Sequence, residues 1–237
     1  MSGRTKTNRI RALTPLWAAA ALLLSAAAPP ACPAGEPLSV SFPAADGVGL
    51  RGHLFGEGTT AVILAHMYPA DQSSWFAFAR KLAGQGYLAL TFDFRGYGES
   101  GGQKVISEID RDMEGAYRFL RPKAKKIFLA GASMGGTAAI RVAAANPAAG
   151  VVSLSAPAAF RGLDAREAAR KLAVPCLFVA AQGDGGASEA ARAFQKAVKS
   201  PKPALLILPG TEHGTQLFDG PNTGKVEEAI LEFLKKN

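Results

Sequence analysis

Apolar residues recur along this chain in two alternating rhythms, short unbroken runs and stripes at helical spacing. Residues 38–42 and 50–55 read as two opening strands, and the glycines and Asp46 between them predict a hairpin. Residues 61–65 form a third apolar run, followed by a helical stretch over 74–84 and a fourth run over 87–92. Val105, Ile109, Met113, Ala116, Tyr117 and Leu120 then share one face of a helix over 105–120. The runs at 127–130, 151–154, 174–180 and 204–208 continue the strand series. Helices are predicted over 164–172 and 189–198, and Val226, Ile230, Phe233 and Leu234 mark an amphipathic closing helix.

Strands separated by helices of this length require right-handed crossovers and a parallel sheet covered on both faces. The fold class expected is therefore α/β, a doubly wound, mostly parallel eight-stranded sheet flanked by helices and opened by an antiparallel hairpin. With no repeat or low-complexity linker, one domain is expected over 36–237. Ligands of such sheets bind beyond the carboxyl ends of the strands.

The first 34 residues stand apart. Arg4, Lys6, Arg9 and Arg11 form a positive start without an acidic residue, and an Ala/Leu-rich stretch over 16–28 follows. That stretch is short for a membrane span and fits the apolar region of a secretory signal, with an uncleaved anchor as the alternative. Pro29 obstructs a cut directly after Ala26-Ala27-Ala28, so cleavage is expected near Ala31 or Ala34. Cys32 resembles the lipid-attachment cysteine of bacterial lipoproteins, although Pro29-Pro30-Ala31 stands where a leucine-led lipobox would. Residues 1–34 are thus read as a signal peptide or lipoprotein signal. The expected location is secreted or periplasmic, with membrane anchoring through this segment or a lipidated Cys32 as a variant. An intracellular enzyme is the alternative if the segment is retained.

Setting this segment aside changes the charge. Four of the 27 Lys and Arg lie in it, leaving 23 against 19 Asp and Glu, a net charge of +4 in place of +8. That balance calls for no nucleic-acid partner. An apolar fraction of 48% supports a sizeable core. Cys176, inside an apolar run, reads as a core residue, and Cys32 is its one potential disulfide partner.

Two stretches fit the pattern G-x-S-x-G, Gly98-Glu99-Ser100-Gly101-Gly102 and Gly131-Ala132-Ser133-Met134-Gly135. Context separates them. Ser100 lies in a Gly-rich loop with no helix directly after it. Ser133 follows the run 127–130 and precedes a small-residue helical stretch over 137–142, the strand–turn–helix setting a nucleophile elbow requires.

A serine hydroxyl needs a base to take its proton and an acid to orient that base. Of three histidines, His53 lies inside a strand and reads as structural, and His66 ends the third strand. His213, in the polar loop after the last strand, is the candidate base. Asp184, in Gly183-Asp184-Gly185 after the seventh strand, is the candidate orienting acid, the alternative being a turn aspartate. Asp164 and Glu212 are reserve acids. The order Ser133, Asp184, His213 is that of one known class of Ser-His-Asp enzymes.

On these residues the chain resembles the α/β-hydrolase superfamily from about residue 38 onward. Asp93-Phe94-Arg95-Gly96-Tyr97-Gly98-Glu99-Ser100 is similar to the family's D-x-R-G-x-G-x-S loop, whose role is mainly structural. Within the superfamily the chain is similar to compact dienelactone-hydrolase-like and serine esterase members. Dienelactone hydrolases proper carry cysteine at the elbow, so Ser133 departs from them. The resemblance implies an oxyanion hole of backbone N–H groups from Met134 and, by position, Tyr68, with Met67 as the alternative. His66 then belongs to that loop as a structural residue. Little sequence separates 151–154 from 174, so no lid domain is expected and the site is open. The expected activity is cofactor-free and metal-free cleavage of a small-molecule carboxylic ester or related acyl bond. A peptidase, amidase or thioesterase on the same residues, or a silent binding protein, are the alternatives.

Overall fold

The computed structural model describes residues 1, 3, 36–201 and 203–237. The chain divides into a unit Met1–Ala31 and a unit Cys32–Asn237, and every element below belongs to the second. The expected signal segment 1–34, with Cys32, lies outside the described residues apart from Met1 and Gly3.

In chain order the elements are β1 (Leu38–Pro43), β2 (Gly49–Phe55), β3 (Thr60–Ala65), α1 (Phe76–Gly84), β4 (Leu88–Phe92) and α2 (Ile109–Leu120). Then come β5 (Lys126–Ala132), α3 (Met134–Ala143), β6 (Gly150–Leu154), β7 (Ala159–Phe160), β8 (Leu163–Asp164) and α4 (Arg166–Lys171). The last are β9 (Cys176–Ala181), α5 (Gly185–Ala197), β10 (Ala204–Leu208) and α6 (Thr223–Lys236). Eight strands form one sheet in the order β1-β2-β4-β3-β5-β6-β9-β10, and β7 and β8 pair as a separate ribbon. The β1–β2 and β2–β4 pairs are antiparallel and all other pairs in the large sheet are parallel.

The alternation of strand side chains builds two cores. On β3, Ala61, Ile63 and Ala65 face a core shared with α2, α3, α4 and α5. Val62 and Leu64 face the other side, against Trp75, Phe78 and Leu82 near and on α1 and Val226, Ile230 and Phe233 on α6. Strands buried on both faces read as continuous apolar runs, which is why the central strands were legible without polar alternation.

The structure differs from the sequence reading at several element ends. Residues Gln72–Trp75 form a 3₁₀ turn ahead of α1, and α5 starts at Gly185 rather than near 189. Two glycines with poor helix propensity concealed that start. The β7–β8 ribbon is too short to leave a periodic signal, and the helix expected over 164–172 is confined to Arg166–Lys171. Among the described residues no helix is long and apolar enough to cross a membrane.

The loop after β4 is fastened at three points. Arg95 donates through Nε to Asp112 at 2.8 Å, and through its Nη atoms to Glu108 at 2.6 Å and Asp46 at 2.9 Å. Asp93 accepts from the backbone and side-chain nitrogens of Gln72 at 2.9 and 2.7 Å. The Ser100 hydroxyl donates to the Asp93 carbonyl at 2.7 Å and accepts from the Arg51 N–H at 2.9 Å. Ser100 is therefore committed to loop structure.

Candidate active site

Ser133 stands at the sharp corner between β5 and α3 with φ 50° and ψ −118°, a region that costs a non-glycine residue of order 1–3 kcal/mol. The corner is held from both sides. The Ser133 N–H donates to the Leu154 carbonyl on β6 at 2.8 Å, and its carbonyl accepts from Thr137 N–H at 3.1 Å. Close approach then dictates the flanking glycines. A Cβ on Gly131 would meet the Gly135 carbonyl carbon at 2.2 Å, and one on Gly135 would meet the Ala65 oxygen at 2.5 Å. Ser133 is 7% exposed, and its hydroxyl has no hydrogen-bond partner among the described residues.

Asp184 ends the connection from β9 and is the N-cap residue of α5, yet its carboxylate makes no capping bond. It turns instead to His213, whose Nδ1 lies 2.8 and 3.0 Å from the two carboxylate oxygens. The β9–β10 ladder sets up this meeting by continuing past the strand ends. Gln182 N–H donates to the Leu208 carbonyl at 2.7 Å and Gly183 N–H to Gly210 at 2.8 Å. His213 is steadied by its own N–H, which donates to Gln216 Oε1 at 3.0 Å. With Nδ1 on the carboxylate, Nε2 is left as the proton acceptor of the ring.

Neither reserve acid pairs with His213 among the described residues. The hydrogen bonds of Arg166 hold the Asp164 carboxyl down at about 2, and that pair faces solvent. Glu212 lies against Gly210 and Gly220, with one carboxylate oxygen buried and unpartnered among the described residues. His53 Nδ1 lies 3.0 Å from Gln72 Oε1, within the network around Asp93. His66 is buried, with Nδ1 3.0 Å from the Met67 carbonyl while Nε2 accepts from Phe94 N–H at 3.1 Å. Burial lowers its pKa against the opposing Met67 hydrogen bond, and a ring that accepts at Nε2 is neutral.

The backbone N–H groups of Met134, Met67 and Tyr68 make no hydrogen bond among the described residues. The first is an unpaired donor at the start of α3, as every helix start supplies. Met67 also touches the loop that carries His213, since a Cβ on Gly214 would lie 2.6 Å from its Sδ. Between β6 and β9 only the ribbon and α4 intervene, and His213 keeps 37% of its side chain exposed. Sequence reasoning missed Ser155, which follows β6 at φ 50° with a buried hydroxyl lacking a partner among the described residues. It also missed Arg161 and Tyr97, considered below. Among the described residues no cluster of three or more His, Cys, Asp or Glu could hold a metal.

Residues 56–164 match the family model described as serine aminopeptidase, S33. No curated protein sequence matches the chain. Among solved structures, an esterase of Pyrococcus furiosus superimposes with a TM-score of 0.75 at 22% identity, covering 85% of this chain and 92% of that one. An esterase from Exiguobacterium antarcticum gives 0.70 at 17% identity, over 84% of this chain and 100% of the other. A dienelactone hydrolase from Anabaena variabilis gives 0.70 at 21% identity, over 84% and 98%. With this sheet order, this strand–elbow–helix corner and these superpositions, the chain has the α/β-hydrolase fold, and its residues 56–164 are similar to that family model.

Proposed function

We propose that this protein is a serine hydrolase that cleaves carboxylic esters through an acyl-enzyme. The observation that carries the reading is the Asp184 carboxylate on His213 Nδ1, at the same sheet end as a serine on a strained elbow. Ser133 Oγ attacks the acyl carbonyl while His213 Nε2 takes its proton. Asp184 fixes the imidazole tautomer and stabilises the imidazolium. The N–H groups of Met134 and Tyr68 donate to the carbonyl oxygen as it becomes an oxyanion. His213 then gives its proton to the leaving alcohol, and the acyl group stays on Ser133. A water, deprotonated by His213, attacks the acyl carbon and releases the acid with a restored serine. The unpaired Ser133 hydroxyl is compatible with this, because such bonds are commonly long outside the Michaelis complex.

The esterase neighbours favour ester substrates, whereas the description of the family model favours amide cleavage. Matched ester, amide and thioester substrates distinguish these. Ser133→Ala is expected to abolish turnover of p-nitrophenyl acetate and labelling by a fluorophosphonate while the protein stays folded. Full activity in that variant refutes the assignment. Export is inferred from residues 1–34 alone, and mass spectrometry of the native protein tests it: an intact segment indicates an intracellular or anchored enzyme.

A further inference from the structure

Beside the Tyr68 loop lies a group of polar side chains that the reaction above does not use. The Arg161 guanidinium carbon sits 4.4 Å from the Tyr68 ring centroid and 5.3 Å from that of Phe160. The two rings are themselves 6.0 Å apart. Aromatic faces thus hold the cation in place. Neighbouring carboxylates are taken, Asp164 by Arg166 and Asp110 by Arg141. Among the described residues Arg161 joins no ion pair and donates no hydrogen bond.

Tyr97 supplies an independent sign. It is 2% exposed, and its hydroxyl is buried without a partner among the described residues. A buried hydroxyl left so keeps a desolvation penalty that a ligand acceptor would relieve. Its ring packs edge-on against His66 at 4.9 Å, under the loop that carries Tyr68, and Lys104 Nζ lies 4.3 Å from the same ring. Burial raises the Tyr97 pKa, Tyr68 raises it further and Arg161 opposes them, which sets all three within electrostatic reach.

The backbone agrees. Arg161 and Gly162 join β7 to β8 with φ values of 46° and 87°. Asn-Gly or Gly-Gly suits a two-residue turn with both φ positive, and arginine there is strained. Strain of this kind concentrates where a side chain serves a function.

We propose that Arg161, the Tyr97 hydroxyl and Lys104 form a subsite for a carboxylate carried by the substrate, so that the preferred esters are half-esters of dicarboxylic acids. This rests on the ester-hydrolase reading above. The guanidinium fork donates two N–H bonds to the carboxylate, the phenol donates one more, and Lys104 adds charge. The planar fork of the guanidinium matches the two oxygens of a planar carboxylate, which is why a carboxylate is the anion proposed. Because Arg161 stacks on Tyr68, the anion binds at the rim of the reaction centre.

The test is pH-stat hydrolysis of the monomethyl esters of succinic, glutaric and adipic acids, each against the methyl ester of the neutral acid of equal chain length. At least one half-ester is expected to show about tenfold higher kcat/KM, a preference that shrinks as salt is raised. Arg161→Gln is expected to cut the half-ester to neutral-ester ratio about tenfold. Tyr97→Phe, which removes only the orphan hydroxyl, should cut it about threefold without lowering the unfolding midpoint. Turnover of neutral esters without any half-ester preference, or an unaltered ratio in Arg161→Gln, overturns the subsite alone. No turnover of any ester overturns the hydrolase reading and this inference with it.

Discussion

Both carboxylate oxygens of Asp184 lie within hydrogen-bonding distance of His213 Nδ1, although Asp184 occupies the position from which an aspartate ordinarily caps a helix. A cap is worth about 1 kcal/mol to the helix, and α5 does without it. The aspartate's interaction is spent across the sheet end rather than along its own helix, the arrangement expected of an orienting acid.

Asp184→Asn should therefore act on the chemistry rather than on the fold. The carboxamide still reaches His213 but favours the wrong tautomer, so kcat is expected to fall about 10⁴-fold with KM little altered. Steady-state kinetics beside a thermal melt checks this. A loss below tenfold would move the orienting role to another acid, Glu212 being adjacent in sequence.

Strain at the elbow opposes stability. Ser133→Gly removes the Cβ at φ 50°, and the hydroxyl that leaves has no partner among the described residues. The variant should be about 1 kcal/mol more stable than the parent and about 2–4 °C higher in Tm, while hydrolysis is lost. Ser133→Ala keeps the Cβ and should show no such gain. Equal melting temperatures for the two variants would contradict a strained corner.

His66 makes stability depend on pH. Its unfolded value is 6.5 and burial lowers it in the fold, where Nε2 is already accepting from Phe94 N–H. Below 6.5 the unfolded chain binds more protons than the folded one, so stability falls as pH falls, by up to about 1.4 kcal/mol per pH unit. Above 6.5 this contribution is flat. Urea denaturation at neutral pH and at about pH 5 measures the slope, and His66→Gln should remove that share of it. Identical slopes in both proteins would show that another group is responsible.

Much of the fold was legible because its signals are contiguous. The eight sheet strands and the main helices announce themselves by period, and the Ser133 corner by a strand, small residues and a helix in immediate succession. Ser100, equal to Ser133 as a pattern, was separable by the same local context, and its hydroxyl is bonded to the Asp93 carbonyl and the Arg51 N–H. Less was legible at the ribbon and at the start of α5, where two-residue strands and paired glycines leave no periodic trace.

By itself, the sequence determined the α/β order of elements and nominated Ser133, Asp184 and His213, since periodicity and turn chemistry depend on neighbouring residues. Only the tertiary structure decided which loops meet. Asp184 and His213 are 29 residues apart and are joined because β9 and β10 pair in parallel and extend their ladder into both loops. Tyr68 and Tyr97 come from the loops after β3 and β4 and Arg161 from the β7–β8 turn, and nothing local links them. Strand order, a long-range outcome of packing two faces of one sheet, brings those loop ends together.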